Sequence, residues 1–335
     1  MIKVAINGFG RIGRGAFRSL LEKDNLKVVA INDLTDPKTL SHLLKYDSVY
    51  GIYEKNVDFD DNHILIDGEK FQILSEKDPE KLPWAELGVD IVLECTGRFR
   101  NYDDTKKHLV AGAKKVILSA TSKNPDKVPS IVMGVNHLNF IIEDVDIFDM
   151  ASCTTNCLAP IVKILNDEFG IERGLMTTIH SYTNDQRLLD ASHKDLRRAR
   201  AAAVNIIPTT TGAAKAIGDV IPELKGKIDG MAVRVPTPIV SIVDLVCLVK
   251  RKTTTEEVNK IFEEKAQDKA WKGIFRVEKS PLVSSDYIGD SFSSVLDSLS
   301  TKVIDNLVKV VSWYDNEAGY SNRLSDFAEY IGKKL

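Results

Sequence analysis

Apolar residues change their spacing along this chain, and the changes mark its elements. Lys3 to Asn7 is a short apolar run that reads as a buried strand, and Phe17, Leu20 and Leu21 then recur at helical spacing. A second strand, Val28 to Ile31, precedes a helical stretch from Thr39 to Tyr46. Asp90 to Glu94 reads as another buried strand, Asp103 to Ala111 as an amphipathic helix, and Val116 to Ser119 and Ile131 to Val135 as further strands. Strand and helix alternate here, which predicts a doubly wound parallel sheet. Glu54 to Lys81 is richer in Asp, Glu and Lys and contains the hairpin signal Asp67-Gly68, so it reads as an insertion on the sheet edge without chemistry of its own. Lys123 to Pro129 is a polar loop.

The second half has a different rhythm. A helix-like run, Ile161 to Phe169, is followed by a strand from Gly174 to His180, a helical run from Ala213 to Ile217 and a strand from Met231 to Val235. Long β-rich runs occupy Val240 to Val249 and Leu307 to Trp313, with a helix between them opened by the capping box Thr254-x-x-Glu257. Strands with few crossover helices predict an α+β domain with a mostly antiparallel sheet. The last helix, Tyr320 to Ile331, is expected to pack back on the first domain. At 335 residues the chain suits two domains. The break is expected near residue 150, with residues 1–150 and the C-terminal 316–335 in one domain and 151–315 in the other.

Composition removes several classes of function. A formal net charge of -3 gives no electrostatic reason for nucleic acid or a membrane as the main partner. The basic segment 193–203 is interrupted by Asp195 and lacks stacking aromatics, which also argues against nucleic acid. The N-terminus lacks a signal-peptide pattern and no long apolar run occurs, so a cytoplasmic location is expected. Four cysteines in so long a chain make no disulfide framework, and no Cys/His cluster completes a zinc site, so no metal is expected.

The candidate chemistry begins with Gly8-x-Gly10-x-x-Gly13, placed between a strand and a helix as a dinucleotide fingerprint requires. Asp33, twenty positions after Gly13, can accept from the adenosine ribose hydroxyls. Thr96, Gly97 and Ser119 end later strands, where loops line a cofactor cleft. Cys153 stands among Ser152, Thr154 and Thr155 just ahead of an apolar helix, where outward N–H groups favour a thiolate near neutral pH. His180, at a strand end in a polar loop, can hold that thiolate as an ion pair and move a proton, although sequence does not show that the two meet. Thr209-Thr210-Thr211-Gly212 opens a helical run suited to an anion. Arg234 is a charge inside an apolar strand and needs an anionic partner.

ASCTTNC at 151–157, TTIHSYTNDQ at 177–186, HKDLRRARAAA at 193–203, IIPTTTGAAKA at 206–216 and WYDNE at 313–317 resemble the phosphorylating glyceraldehyde-3-phosphate dehydrogenases. With INGFGRIGR at 6–14 the resemblance covers essentially the whole chain. It implies Cys153 as nucleophile and His180 as base, acting on glyceraldehyde 3-phosphate and inorganic phosphate. It further implies that Arg11, Ile12, Asp33, Lys77, Ser119 and Asn316 hold NAD, with Asn316 on the nicotinamide carboxamide. Ser152, Thr154, Thr183, Arg198, Thr211, Gly212 and Arg234 would bind the two phosphates, in a homotetramer.

The chain departs from the family at Asp149-Met150, where Ser-Asn is usual, at Ala318, where an aromatic is usual, and at Ile239, where Asn is usual. Ala191-Ser192 resembles forms that accept NADP, whereas the Asp33 carboxylate repels a 2′-phosphate, so NAD is expected with NADP tolerated. Two rivals share the fold: an erythrose-4-phosphate dehydrogenase and a catalytically idle binding protein. Tyr182-Thr183-Asn184 favours the glyceraldehyde phosphate reading over the first, and the joint presence of Cys153, His180, Arg234 and Asn316 opposes the second.

Overall fold

The computed structural model describes residues 1–335. It divides into two compact units, Met1–Ile131 with Leu138–Ala151 and Ser321–Leu335, and Val132–His137 with Ser152–Tyr320.

In the first unit Ile2–Asn7 lies near the centre of an eight-stranded sheet. On one side follow Leu26–Asn32, Glu69–Leu74, His63–Ile66 and Val57–Phe59, and on the other Ile91–Glu94, Lys115–Leu118 and Ile147–Asp149. Six of the strands run parallel, which explains their continuous apolar runs, since both faces are covered. The strand order reverses between Ile2–Asn7 and Ile91–Glu94, and a ligand crevice belongs beyond the carboxyl ends at such a point. The edge hairpin turns at Asp67-Gly68, whose φ values of 51° and 89° are those of a two-residue primed turn. The sequence placed all of 54–81 outside the parallel sheet, yet Glu69–Leu74 pairs parallel with Leu26–Asn32.

The helix Arg11–Leu20 docks through Phe17, which meets Phe9 and Phe71 edge-on at 5.4 and 5.0 Å. The C-terminal segment joins this unit through Ser325 Oγ at 2.6 Å from Ser19 Oγ and Asp326 at 2.6 Å from Lys23 Nζ. The expected strand at Ile131 to Val135 does not form. Gly134, at φ 81°, folds the run into a turn in which the Asn136 side chain accepts from Val132 N–H at 2.8 Å. The sixth parallel strand is instead Ile147–Asp149, too short to announce itself by periodicity.

The second unit carries a mostly antiparallel sheet in the order Ile207–Thr210, Ile228–Val235, Ile171–Ser181, Ser241–Val249, Leu307–Tyr314, Ser294–Asp297 and Phe275–Glu278. Buried and half-buried positions alternate strictly along Ser241–Val249, as one covered face requires. The helix Cys153–Phe169 supplies that cover, resting on Ser241–Val249, Leu307–Tyr314 and Ser294–Asp297. Ile171–Ser181 and Ile228–Val235 are parallel neighbours in a register that sets His180 beside Arg234.

Two local expectations change. The helix expected over Ala213 to Ile217 forms later, over Ile217–Val220, and ends there because Pro222 disfavours a helical Ile221, whose φ and ψ are -131° and 84°. The capping box is half made: Thr254 accepts from Glu257 N–H at 3.2 Å, but the Glu257 carboxylate is taken by Thr253 and Arg251. No helix is long and apolar enough to cross a membrane.

Candidate active site

The glycine loop of the first unit is shaped by close approaches. Gly8 has φ 95°, and a Cβ there would lie 2.7 Å from Thr96 N. A Cβ on Gly13 would lie 2.1 Å from Gly8 O, so helix and loop can pack this closely only as glycines. Gly10 caps the helix Arg11–Leu20 without a side-chain hydrogen bond, which leaves first-turn N–H groups available to an anion. Beside them lies a cavity of about 570 Å³ lined by Gly8, Gly10, Asp33, Lys77 and Thr96 together with Asn7, Asn32, Leu34, Glu76, Cys95, Arg98 and Phe99. The volume suits a small ligand. Asp33 is held in place by Phe9 N–H at 2.7 Å and Thr35 N–H at 3.0 Å. A glycine cradle, a helix N-terminus and a fixed carboxylate together fit a dinucleotide.

The remaining candidates in this unit do not line that cavity. Arg11 makes a two-pronged contact with Asp47 at 3.1 and 3.3 Å and lies over the Tyr50 ring. Ile12 is half-buried, Gly97 supplies a turn at φ 68°, and the Ser119 side chain bonds the Cys95 thiol. The cavity includes Glu76 and Lys77, so the end of the edge insertion borders the site after all. Glu94, 2% exposed, accepts from Asn7 Nδ2 at 2.5 Å, Thr96 N–H at 2.8 Å and the Thr96 hydroxyl, and so ties two strand ends together. Its signal was a carboxylate closing an otherwise apolar strand.

In the second unit Ser152 caps the cysteine helix, accepting from Thr155 N–H at 3.0 Å. Just before it Ala151 sits at φ 52°, a sharp bend that delivers Cys153 to the first helical position. Cys153 Sγ lies 3.5 Å from His180 Nε2. The structure therefore brings together the two residues whose meeting the sequence left open. Thr154 turns its hydroxyl inward to Tyr314 at 2.7 Å, and Tyr314 also meets Thr178 at 2.9 Å and packs edge-on against the His180 ring. No local pattern ties Tyr314 to Thr154 and Thr178, which lie 160 and 136 positions away in the chain.

The polar residues form two linked groups. Thr155 Oγ donates to Ala213 O at 3.4 Å, while Thr211 Oγ accepts from Ala213 N–H at 3.2 Å, which sets the Thr211-Gly212 turn beside the cysteine helix. Asp185 accepts from Thr183 and from Arg198 Nη1 at 2.6 Å, and Arg198 also reaches Thr209 and Thr210. Arg234 was expected to need an anion. Its partners are neutral: Nη1 is 2.8 Å from His180 Nδ1 and 3.0 Å from Ser181 O. Asn316 Oδ1 is fixed by the hydroxyls of Ser181 and Ser241 at 3.0 and 3.1 Å. At the departures, Met150 and Ile239 are buried, and the Asp149 carboxylate accepts from Ser122 N–H and Ala151 N–H.

Electrostatics differ from the sequence expectation. Burial pushes the Cys153 thiol up, more than Arg234, the Thr154 hydroxyl and the Thr154 N–H pull it down. Burial, and then the Arg234 cation, hold the His180 pKa at about 3 against the Ser181 carbonyl and Asp185. Burial thus opposes, at both groups, the ion pair expected from the sequence. A helix N-terminus lowers a thiol only where burial does not outweigh it.

Comparison with known proteins points the same way as the geometry. Residues 2–102 match the family model described as glyceraldehyde 3-phosphate dehydrogenase, NAD binding domain, and residues 152–316 match the C-terminal domain of the same family. The glyceraldehyde-3-phosphate dehydrogenase of Geobacillus stearothermophilus is 58% identical over 334 residues, 99% of each chain. Glyceraldehyde-3-phosphate dehydrogenase 2 of a Nostoc species is 55% identical over 100% of this chain and 99% of its own. That of Streptomyces coelicolor is 52% identical over the same shares. A chain that matches both domains of one family and aligns end to end with its members at more than half of all positions is one of them, and this chain belongs to the glyceraldehyde-3-phosphate dehydrogenase family.

Proposed function

We propose that the chain oxidises and phosphorylates glyceraldehyde 3-phosphate to 1,3-bisphosphoglycerate with NAD, in glycolysis and its reversal. The observation that carries this reading is the 3.5 Å approach of Cys153 Sγ to His180 Nε2 at the head of a capped helix. The sulfur adds to the aldehyde carbon, its proton passing by way of His180 to the new hydroxyl of a thiohemiacetal. His180 Nε2 then takes that hydroxyl proton as C1 loses a hydride, leaving a thioester on Cys153. Inorganic phosphate attacks the thioester carbonyl, the C–S bond breaks as the acyl phosphate leaves, and the departing sulfur takes the proton held at His180 Nε2, which restores the thiol and the neutral imidazole.

Bound NAD supplies the hydride acceptor. Gly8, Gly10, Gly13, Asp33, Lys77, Thr96 and Gly97 are assigned to its adenosine and pyrophosphate, with Arg11, Ile12, Ser119 and Asn316 completing the set, the last for the nicotinamide carboxamide. The fixed Asp33 carboxylate supports NAD over NADP, because a 2′-phosphate would meet like charge. Ser152, Thr154, Thr183, Arg198, Thr211, Gly212 and Arg234 are assigned to the two phosphates. Arg234 supports this most directly, as a cation whose hydrogen-bond partners are neutral. The functional domains of this reading are residues 1–150 with 316–335 for the dinucleotide and 151–315 for catalysis and phosphate, although 132–137 and 316–320 belong to the second compact unit and Ala151 to the first.

The reading includes a cytoplasmic homotetramer. Leu188, Leu189 and Leu196 are each more than three-quarters exposed, an apolar group that a partner subunit would cover. A stable monomer in sedimentation equilibrium would remove the tetramer from the proposal. The activity is tested by initial rates with each nicotinamide cofactor, with and without phosphate. Reduction that requires both aldehyde and phosphate, and is faster with NAD than NADP, is the expected result. Phosphate-independent rates, or faster turnover of erythrose 4-phosphate, would overturn the assignment.

A further inference from the structure

His180 Nδ1 has two partners that no single protonation state can satisfy. Ser181 O lies 2.7 Å away and only accepts, so it calls for a proton on Nδ1. Arg234 Nη1 lies 2.8 Å away and only donates, so it calls for a bare Nδ1 lone pair. Arg234 Nη1 is also 3.0 Å from Ser181 O and can occupy that carbonyl itself. Two arrangements follow. With Arg234 on Nδ1, the imidazole is neutral and carries its proton on Nε2, facing Cys153 Sγ. With Arg234 withdrawn, Nδ1–H donates to Ser181 O and Nε2 presents a lone pair to the same sulfur.

Only the second arrangement can work as the base. A group that takes a hydroxyl proton at Nε2 must start with Nε2 bare, and it ends as an imidazolium protonated at both nitrogens. Contact with a guanidinium donor at Nδ1 excludes both forms. Arg234 meanwhile lacks a carboxylate of its own. Asp185, which attracts it through space, is hydrogen-bonded to Thr183 and Arg198, and Arg234 Nε is buried with no hydrogen-bond partner. A tetrahedral oxyanion offers that guanidinium charge-assisted bonds that a neutral imidazole does not.

We propose that Arg234 is a tautomer-setting residue: without an anion it holds His180 in the Nε2–H form, and an oxyanion bound at Arg234 releases His180 to the Nδ1–H form that serves as base. The inference rests on the proposed role of Arg234 as a phosphate ligand. The exchange removes one proton from Nε2 and adds one to Nδ1 through solvent, with no change in net charge. Arg234 thereby acts through His180, and the base is made ready only when a phosphate is present.

The test is nitrogen-15 NMR on the full-length protein with labelled histidine, reading the two-bond proton couplings that separate the tautomers. The His180 signals are identified by their loss in His180→Asn. Inorganic phosphate and glycerol 3-phosphate are the probes, representing the attacking phosphate and the substrate phosphoryl group. The wild-type protein is expected to show the Nε2–H pattern alone and the Nδ1–H pattern when either probe saturates it; the probe that acts identifies the phosphate. Arg234→Leu is expected to show Nδ1–H throughout. One unchanged wild-type pattern with both probes bound would overturn the inference, and this arm stands even if the variant does not fold. Calorimetry separates the two levels. An Arg234→Leu variant that binds both probes as tightly as wild type refutes the ligand role itself. A tenfold or greater loss of affinity alongside an unresponsive wild-type tautomer refutes only the switch.

Discussion

Cys153→Ala lowers kcat/KM for phosphate-dependent aldehyde oxidation by about 10⁴-fold or more, the scale seen when a covalent nucleophile is removed. No other thiol can replace it. Cys157 is fully buried on the same helix, and burial pushes its thiol up to about 12 while Ser312 and Ser294 partner the sulfur. Burial also pushes Cys95 and Cys247 up to about 12, and Cys247 lies inside a strand. Without the sulfur an aldehyde can lose hydride only from its hydrate, which yields a carboxylate rather than an acyl phosphate. The variant should fold normally, because Ser152 still caps the helix and a half-buried Cys→Ala change costs about 1 kcal/mol or less. Assaying acyl phosphate formation against matched NAD binding separates lost chemistry from lost structure. Phosphate-dependent turnover above about a hundredth of wild type would sink the nucleophile assignment.

What sequence could show followed from how locally each feature is written. Gly8, Gly10, Gly13 and Asp33 lie within one strand–helix–strand unit, so spacing alone puts them at the same crevice. The Cys153 helix was equally legible through its hydroxyl cap and the apolar run behind it. By contrast, the neighbours of His180 come from Cys153, Arg234 and Tyr314, on a helix and two other strands, and only strand register makes them meet. The resemblance named the first two, but no periodicity could have done so. The apolar run from Ile131 misleads because one residue overrides its pattern, Gly134, whose φ of 81° turns the chain. The thiol's electrostatics were misjudged for a related reason. A helix terminus is visible in sequence, but the burial that opposes it is a property of the assembled unit.

His180→Asn should lower kcat by about 10²–10⁴-fold while leaving NAD affinity unchanged, since the amide keeps a polar side chain but cannot accept the proton at Nε2. The same variant carries a stability signature whose sign is fixed by the pKa. His180 titrates at about 3 in the fold against an ordinary 6.5 when unfolded, so between those values the unfolded chain binds the extra proton. Stability from this source is complete above about pH 6.5 and is lost progressively as pH falls toward 3. At pH 5 the loss is about 2 kcal/mol, and asparagine, which does not titrate, removes it. Denaturant unfolding of both proteins at pH 7.5 and pH 5 should therefore show the variant losing less stability on acidification, by about that amount. An equal acid-side loss in the two proteins would mean that His180 is not held neutral by burial and Arg234. The kinetic and thermodynamic halves are linked through one group. The imidazole that acidification must force to charge is the same one the reaction must charge in each turnover, so an anion that draws Arg234 aside eases both.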